Sequence, residues 1–125
     1  MHLETDVLVI GAGGAGMYAA IEAARRGAMT ILADRSLIGR GGATIMAQMT
    51  VAVAVGEQEP DHWEFHYADT LAAGRGLCDP DLARLLCEEG PEVIREMDVW
   101  GVGWARQEGS PRMKQAFAPG HDRPR

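Results

Sequence analysis

A chain of 125 residues has room for one domain or part of one, and 18 acidic residues against 12 basic ones leave a formal net charge of −6. That balance argues against a nucleic-acid partner. The chain has no run of 18 apolar residues to span a membrane, and its start lacks the basic and apolar regions of a signal peptide, so a cytoplasmic location is expected.

The most informative stretch comes first. Val7 to Ile10 is an apolar burst of the length of one buried strand, followed by Gly11, Gly13 and Gly16 in the G-x-G-x-x-G spacing. A small-residue helix is expected from about Gly14 to Arg26, with Met17, Ala20, Ile21 and Ala24 on its packed stripe and Gly27 as its stop. A second apolar run, Thr30 to Ala33, ends in Asp34, 18 residues after Gly16. Each part suits a dinucleotide. Gly11 allows a tight turn, Gly13 lets backbone approach a pyrophosphate, and Gly16 lets the helix lie close on the strand. The helix N-terminus directs N–H groups and a partial positive charge at the phosphates. Asp34 can accept hydrogen bonds from the hydroxyls of the adenosine ribose.

Residues 35–50 carry Gly39, Gly41 and Gly42 and read as an irregular, ligand-facing loop. From Thr50 to Val55, valines alternate with alanines, and strand and short helix are both open. Asp61 and Glu64 after Pro60 form a capping-box pattern, which predicts a helix over 61–73 that ends at Gly74. Asp79 followed by Pro80 predicts another N-terminus, for a helix that turns Leu82, Leu85 and Leu86 inward and stops at Gly90. Pro91 should then open a third helix bearing Val93, Ile94 and Met97 and ending before Gly101. From Trp104 onward the pattern is polar loop. Arg106, Arg112, Lys114, Arg123 and Arg125 crowd that end and are expected to form a solvated tail. The alternative is a surface for an anionic substrate or for the rest of a larger protein.

Other groups have plainer expected uses. Cys78 and Cys87 make neither a disulfide framework nor a metal box and are expected to be small core residues. His62 and His66 share a helix face at metal-ligand spacing, but Glu64 points elsewhere and no third ligand is apparent, so packing is expected and no metal. Trp63, Phe65 and Tyr67 fall on different faces of the same helix, as packing residues rather than a stacking platform. Asp79 and Asp81 are expected as helix N-terminal acids rather than a catalytic pair. The fold class is α/β, the N-terminal portion of a Rossmann-like domain. Two parallel strands are too few for a doubly wound sheet, so an incomplete domain is expected.

Four stretches carry a family likeness: DVLVIGAGGAG at 6–16, GGATIMAQ at 41–48, HWEFHYADTLAAGRGLCDPDL at 62–82 and WGVGWAR at 100–106. With them the chain resembles the N-terminal part of the flavoprotein subunit of fumarate reductase and succinate dehydrogenase, a group that includes L-aspartate oxidase and the adenylylsulfate reductase α subunit. The closing GHDRPR at 120–125 resembles a further family element, with Asp122 where serine is usual.

The resemblance implies FAD rather than NAD. It implies that Gly11, Ala12, Gly13, Gly14, Ala15, Gly16, Asp34 and Arg35 surround the ADP half. Gly41, Gly42, Ala43, Thr44, Ala47 and Gln48 would then run along the flavin. Ala43 stands where membrane-bound relatives carry a histidine bonded covalently to the flavin, which implies FAD held without a covalent link. Met49 and Thr50 replace the usual Gly-Gly. The implied organisation is a partial FAD-binding domain over 1–125. Its parts are a βαβ unit at 5–34, a flavin-facing loop at 35–56, a helical segment at 61–100 and a loop or tail at 105–125, with the capping domain absent.

In a complete enzyme of this kind, hydride passes between flavin and a small dicarboxylate, with an iron–sulfur subunit or a soluble donor as electron partner. Such a protein would reach the inner face of a membrane through partner subunits. No catalytic residue is carried over, because the family's substrate-binding and proton-donor regions lie elsewhere. For His121 and Arg123 the resemblance implies proximity to flavin or substrate, against the plainer expectation of a disordered tail. The alternative functions are those of L-aspartate oxidase, of adenylylsulfate reductase, and of a non-catalytic dinucleotide-binding module.

Overall fold

A computed structural model describes residues 2–47 and 50–125, in two compact units that divide between Thr50 and Val51. The first unit is built on β1 (Val7–Ile10), α1 (Gly14–Arg25) and β2 (Thr30–Ala33). The two strands pair in parallel, Val7 against Thr30 through Ile10 against Ala33. Both strands fall on the predicted bounds, since four apolar residues closed by glycine or Asp leave little freedom. α1 ends at Arg25, and Gly27 adopts φ +84°, the left-handed geometry that stops a helix.

The expected stripe of α1 packs only in part. Met17 and Ala20 are half-buried, as are Gly16 and Ala23, whereas Ile21 and Ala24 are exposed. Small residues win this face because the helix lies close to the strand, and a long side chain fits only at its margin. Val9 faces α1, so Leu8 and Ile10 take the opposite face of the sheet and are exposed. The 35–50 loop is not wholly irregular, since Ala43–Met46 forms a one-turn helix, α2. Gln48 and Met49 lie outside the described residues.

The second unit holds α3 (Trp63–Gly74) and α4 (Pro80–Val99). Residues 50–55 form neither strand nor helix; Val53 instead meets Ile94 and Met113 in the core, flanked by Val55, Met97 and Trp104. The capping box at Asp61 does not form. The N-cap of α3 is His62, without a side-chain bond, because Asp61 is drawn into an ion pair with Arg125. The Asp79 cap does form: its Oδ1 accepts from the N–H groups of Asp81 at 2.9 Å and Leu82 at 3.1 Å.

Two expectations for α4 are overturned. The helix neither stops at Gly90 nor restarts at Pro91 but runs through both. Pro91 removes only one N–H, and packing on either side of it outweighs that loss. Nor do the leucines face inward: Leu82, Leu85 and Leu86 are 65%, 52% and 61% exposed. The buried row is Ala83, Cys87 and Ile94, with Gly90 between them so close to Val53 that a Cβ would sit 3.4 Å from its methyl carbon. Close approach of α4 selects small residues for the contact and turns the leucines away.

The basic end is a solvated tail only in part. Arg106, Arg112 and Lys114 are exposed, but Arg125 is buried, and Arg106 and Met113 face each other in an antiparallel bridge. Cys87 is buried and Cys78 partly so, both as free thiols.

Candidate functional site

The glycine turn is held from both sides. Gly11 takes φ +107°, open to glycine and strained for other residues, and its N–H donates to the Ala33 carbonyl at 2.7 Å. Gly13 is the N-cap of α1. A Cβ on Gly16 would fall on the carbonyl oxygen of Gly11, so this glycine is required by helix–strand approach. A Cβ on Gly13 would meet only Thr44 Oγ1, at an ordinary 3.5 Å. No neighbouring atom among the described residues therefore demands glycine at 13, as expected where space is kept for a ligand.

Asp34 sits at the end of β2 and reaches back across the turn. Its Oδ2 accepts from the N–H of buried Ala12 at 2.6 Å, and its Oδ1 accepts from Ser36 N–H and Ser36 Oγ, both at 2.7 Å. These bonds, led by the Ala12 N–H, lower its pKa to about 2, with the charge of Arg35 adding to the effect. The carboxylate is thus ionised at neutral pH and aimed at the glycine turn. Ser36 escaped the sequence reading, though the D-x-S spacing of an Asx turn was there to see.

The second loop arrives through Thr44, whose Oγ1 accepts from the N–H of Gly14 at 2.8 Å. Gly42, at φ +81°, lies against the Cα of Gly13, and Gly41 lies beside Ser36 and Asp34. Ala43 opens α2 and Ala47 closes it. Gly11 to Gly16, Asp34 and Gly41 to Thr44 therefore converge on the start of α1, with Arg35 beside them. Gln48 lies outside the described residues. In the first turn of α1, the N–H groups of Ala15 and Gly16 meet no acceptor among the described residues. Donors, open space and an ionised acceptor fit a dinucleotide.

The FAD binding domain family matches residues 6–124. The chain belongs to that family. It is 39% identical over 100 residues to L-aspartate oxidase of Streptomyces coelicolor, covering 80% of this chain and 17% of that protein. It is 34% identical over 108 residues to the succinate dehydrogenase flavoprotein subunit of Rickettsia bellii, covering 86% and 18%. The apo Sdh1 complex of Mycobacterium smegmatis superposes with a TM-score of 0.90 at 35% identity, over 97% of this chain and 20% of that one. The chain thus spans about a fifth of the length of these relatives. The α/β reading and the resemblance to this flavoprotein group hold, and FAD is the cofactor of the family.

The other candidates do not gather into a site. His62 is exposed and paired with Glu64, whereas His66 is buried, and no cluster of three metal-ligating side chains occurs among the described residues. Phe65 is exposed under the guanidinium of Arg123, 4.2 Å from its ring centre, while Trp63 and Tyr67 face each other at 6.4 Å.

Proposed function

We propose that the chain supplies the ADP-binding part of an FAD site in a flavoprotein of the succinate dehydrogenase and fumarate reductase type. The convergence of the glycine turn, Asp34 and the Thr44 loop on the start of α1 carries this reading. Gly11 to Gly16 would lie along the pyrophosphate, with the Ala15 and Gly16 N–H groups as donors. Oδ2 of Asp34 keeps a lone pair for a ribose hydroxyl, and Arg35 would lie toward the adenine. Gly41, Gly42, Ala43, Thr44 and Ala47 would line the path to the flavin.

Ala43 has only a methyl group and cannot bond to a flavin, which supports a cofactor held without a covalent link. When bound, FAD supplies a two-electron carrier able to exchange hydride with a small dicarboxylate in the complete enzyme. The proposed electron partner is an iron–sulfur subunit. No helix among the described residues is long and apolar enough to cross a membrane.

The test is FAD titration of the purified chain, followed by acid precipitation. Quenching of flavin fluorescence on binding is expected, with all flavin in the acid supernatant. Unchanged fluorescence throughout the titration sinks the FAD reading. Flavin retained on the precipitate sinks the non-covalent one.

A further inference from the structure

A buried cluster in the second unit takes no part in this function. His66, on the inner side of α3, is 3% exposed, and its Nδ1 has no hydrogen-bond partner among the described residues. Its ring centre lies 5.5 Å from that of His121. His121 Nδ1 lies 2.9 Å from Arg125 Nη1. A guanidinium only donates, so that bond exists while His121 Nδ1 carries no proton.

The surrounding acids are already engaged. Arg125 pairs with Asp61 at 2.8 Å, with Asp69 at 2.6 Å and with Asp122 at 3.2 Å. Asp122 also pairs with Arg123 at 2.8 Å. On α4, Arg84 and Glu88 pair with each other at 3.2 Å, and Cys87 reaches Thr70. A proton on His66 would add a buried cation near Arg125, on a ring whose Nδ1 meets no acceptor among the described residues.

We propose that His66 makes the docking of residues 118–125 on α3 a pH-dependent latch. It is closed while that ring is neutral and opens when it takes up a proton. Burial pushes the His66 imidazole below its ordinary value of 6.5, and the positive Arg125 acts in the same direction, outweighing Asp61 and Asp69. A histidine lowered in the closed state binds its proton more readily in the open state. Its contribution to docking is thus fully present above 6.5 and is lost as pH falls below that value.

Amide hydrogen exchange on the full chain tests the latch. Arg125 N–H donates to the Ala116 carbonyl at 3.1 Å, and Lys114 N–H to Ala105 at 2.8 Å serves as a reference outside the latch. Corrected for intrinsic rates, protection at Arg125 should fall about tenfold or more between roughly pH 7.5 and pH 5, with Lys114 unchanged. His66→Leu should abolish the fall. Should that variant not fold, the parent still decides: ring protonation of His66, followed by NMR, must share its midpoint with the loss of protection. Protection that persists at the lower pH, an equal fall in His66→Leu, an equal fall at Lys114, or separate midpoints would each overturn the proposal.

Discussion

Replacing Gly16 by alanine puts a Cβ onto the carbonyl oxygen of Gly11 and 3.5 Å from a methyl carbon of Val9. The clash is between two pieces of backbone. The Gly11 carbonyl belongs to a turn pinned by the bond from Gly11 N–H to Ala33, so no side-chain torsion can relieve it. α1 must slide off β1 instead. Overpacking of this kind costs about 3 kcal/mol, at the upper end of its usual range. Alanine in place of glycine within a helix returns about 1 kcal/mol. The net loss of about 2 kcal/mol is a roughly 30-fold shift toward the unfolded form of the first unit. Gly13→Ala is the matched control, because its Cβ would meet only Thr44 Oγ1 at 3.5 Å and its φ of −72° suits any residue. Its stability should stay within about 0.5 kcal/mol of the parent, while FAD affinity falls if the space at 13 belongs to the pyrophosphate. Urea unfolding followed by circular dichroism reads the first effect, and quenching of FAD fluorescence reads the second. Equal unfolding midpoints for Gly16→Ala and the parent would refute the steric reasoning. So would a Gly13→Ala chain as unstable as Gly16→Ala.

Three further outcomes are expected. Asp34 is lowered from 3.8 to about 2, so its bond to Ala12 contributes above 3.8 and is lost as pH falls toward 2. Exchange of the Ala12 amide should accelerate, relative to its intrinsic rate, across that window in the parent and show no such step in Asp34→Asn; a step in both would exclude Asp34 as its cause. Asp79→Ala removes the acceptor of the Asp81 and Leu82 N–H groups and should cost about 1 kcal/mol, read as a lower melting temperature of the second unit; no change in melting would show the cap to be idle. Pro91→Ala restores an N–H inside α4 and should raise that melting temperature by the equivalent of about 1 to 3 kcal/mol. An unchanged or lower value would mean that the proline ring itself packs favourably.

What was legible in the sequence follows the range of the interactions involved. The bounds of β1 and β2 and the Asp79 cap depend on neighbours a few residues away, and they stand as read. Asp61 has the same local credentials as Asp79, yet it bonds Arg125, 64 residues on, and its cap never forms. The leucines of α4 show the same limit. Periodicity establishes that a helix has faces, but the partner selects which is buried, and here contact favours Ala83, Cys87 and Ile94.

The cofactor residues divide in the same way. Gly16 is needed by a contact five residues back, which spacing alone reveals. The bonds that assemble the site, Ala12 to Asp34 across 22 residues and Gly14 to Thr44 across 30, leave no periodic trace. They also change the meaning of the acid and the hydroxyl. Asp34 and Thr44 hold the turn in shape through its own N–H groups, so substituting either should loosen the turn as well as remove a cofactor contact. A loss of FAD affinity in such variants therefore measures both effects. Amide exchange in the cofactor-free chain separates them, because it responds to the turn alone.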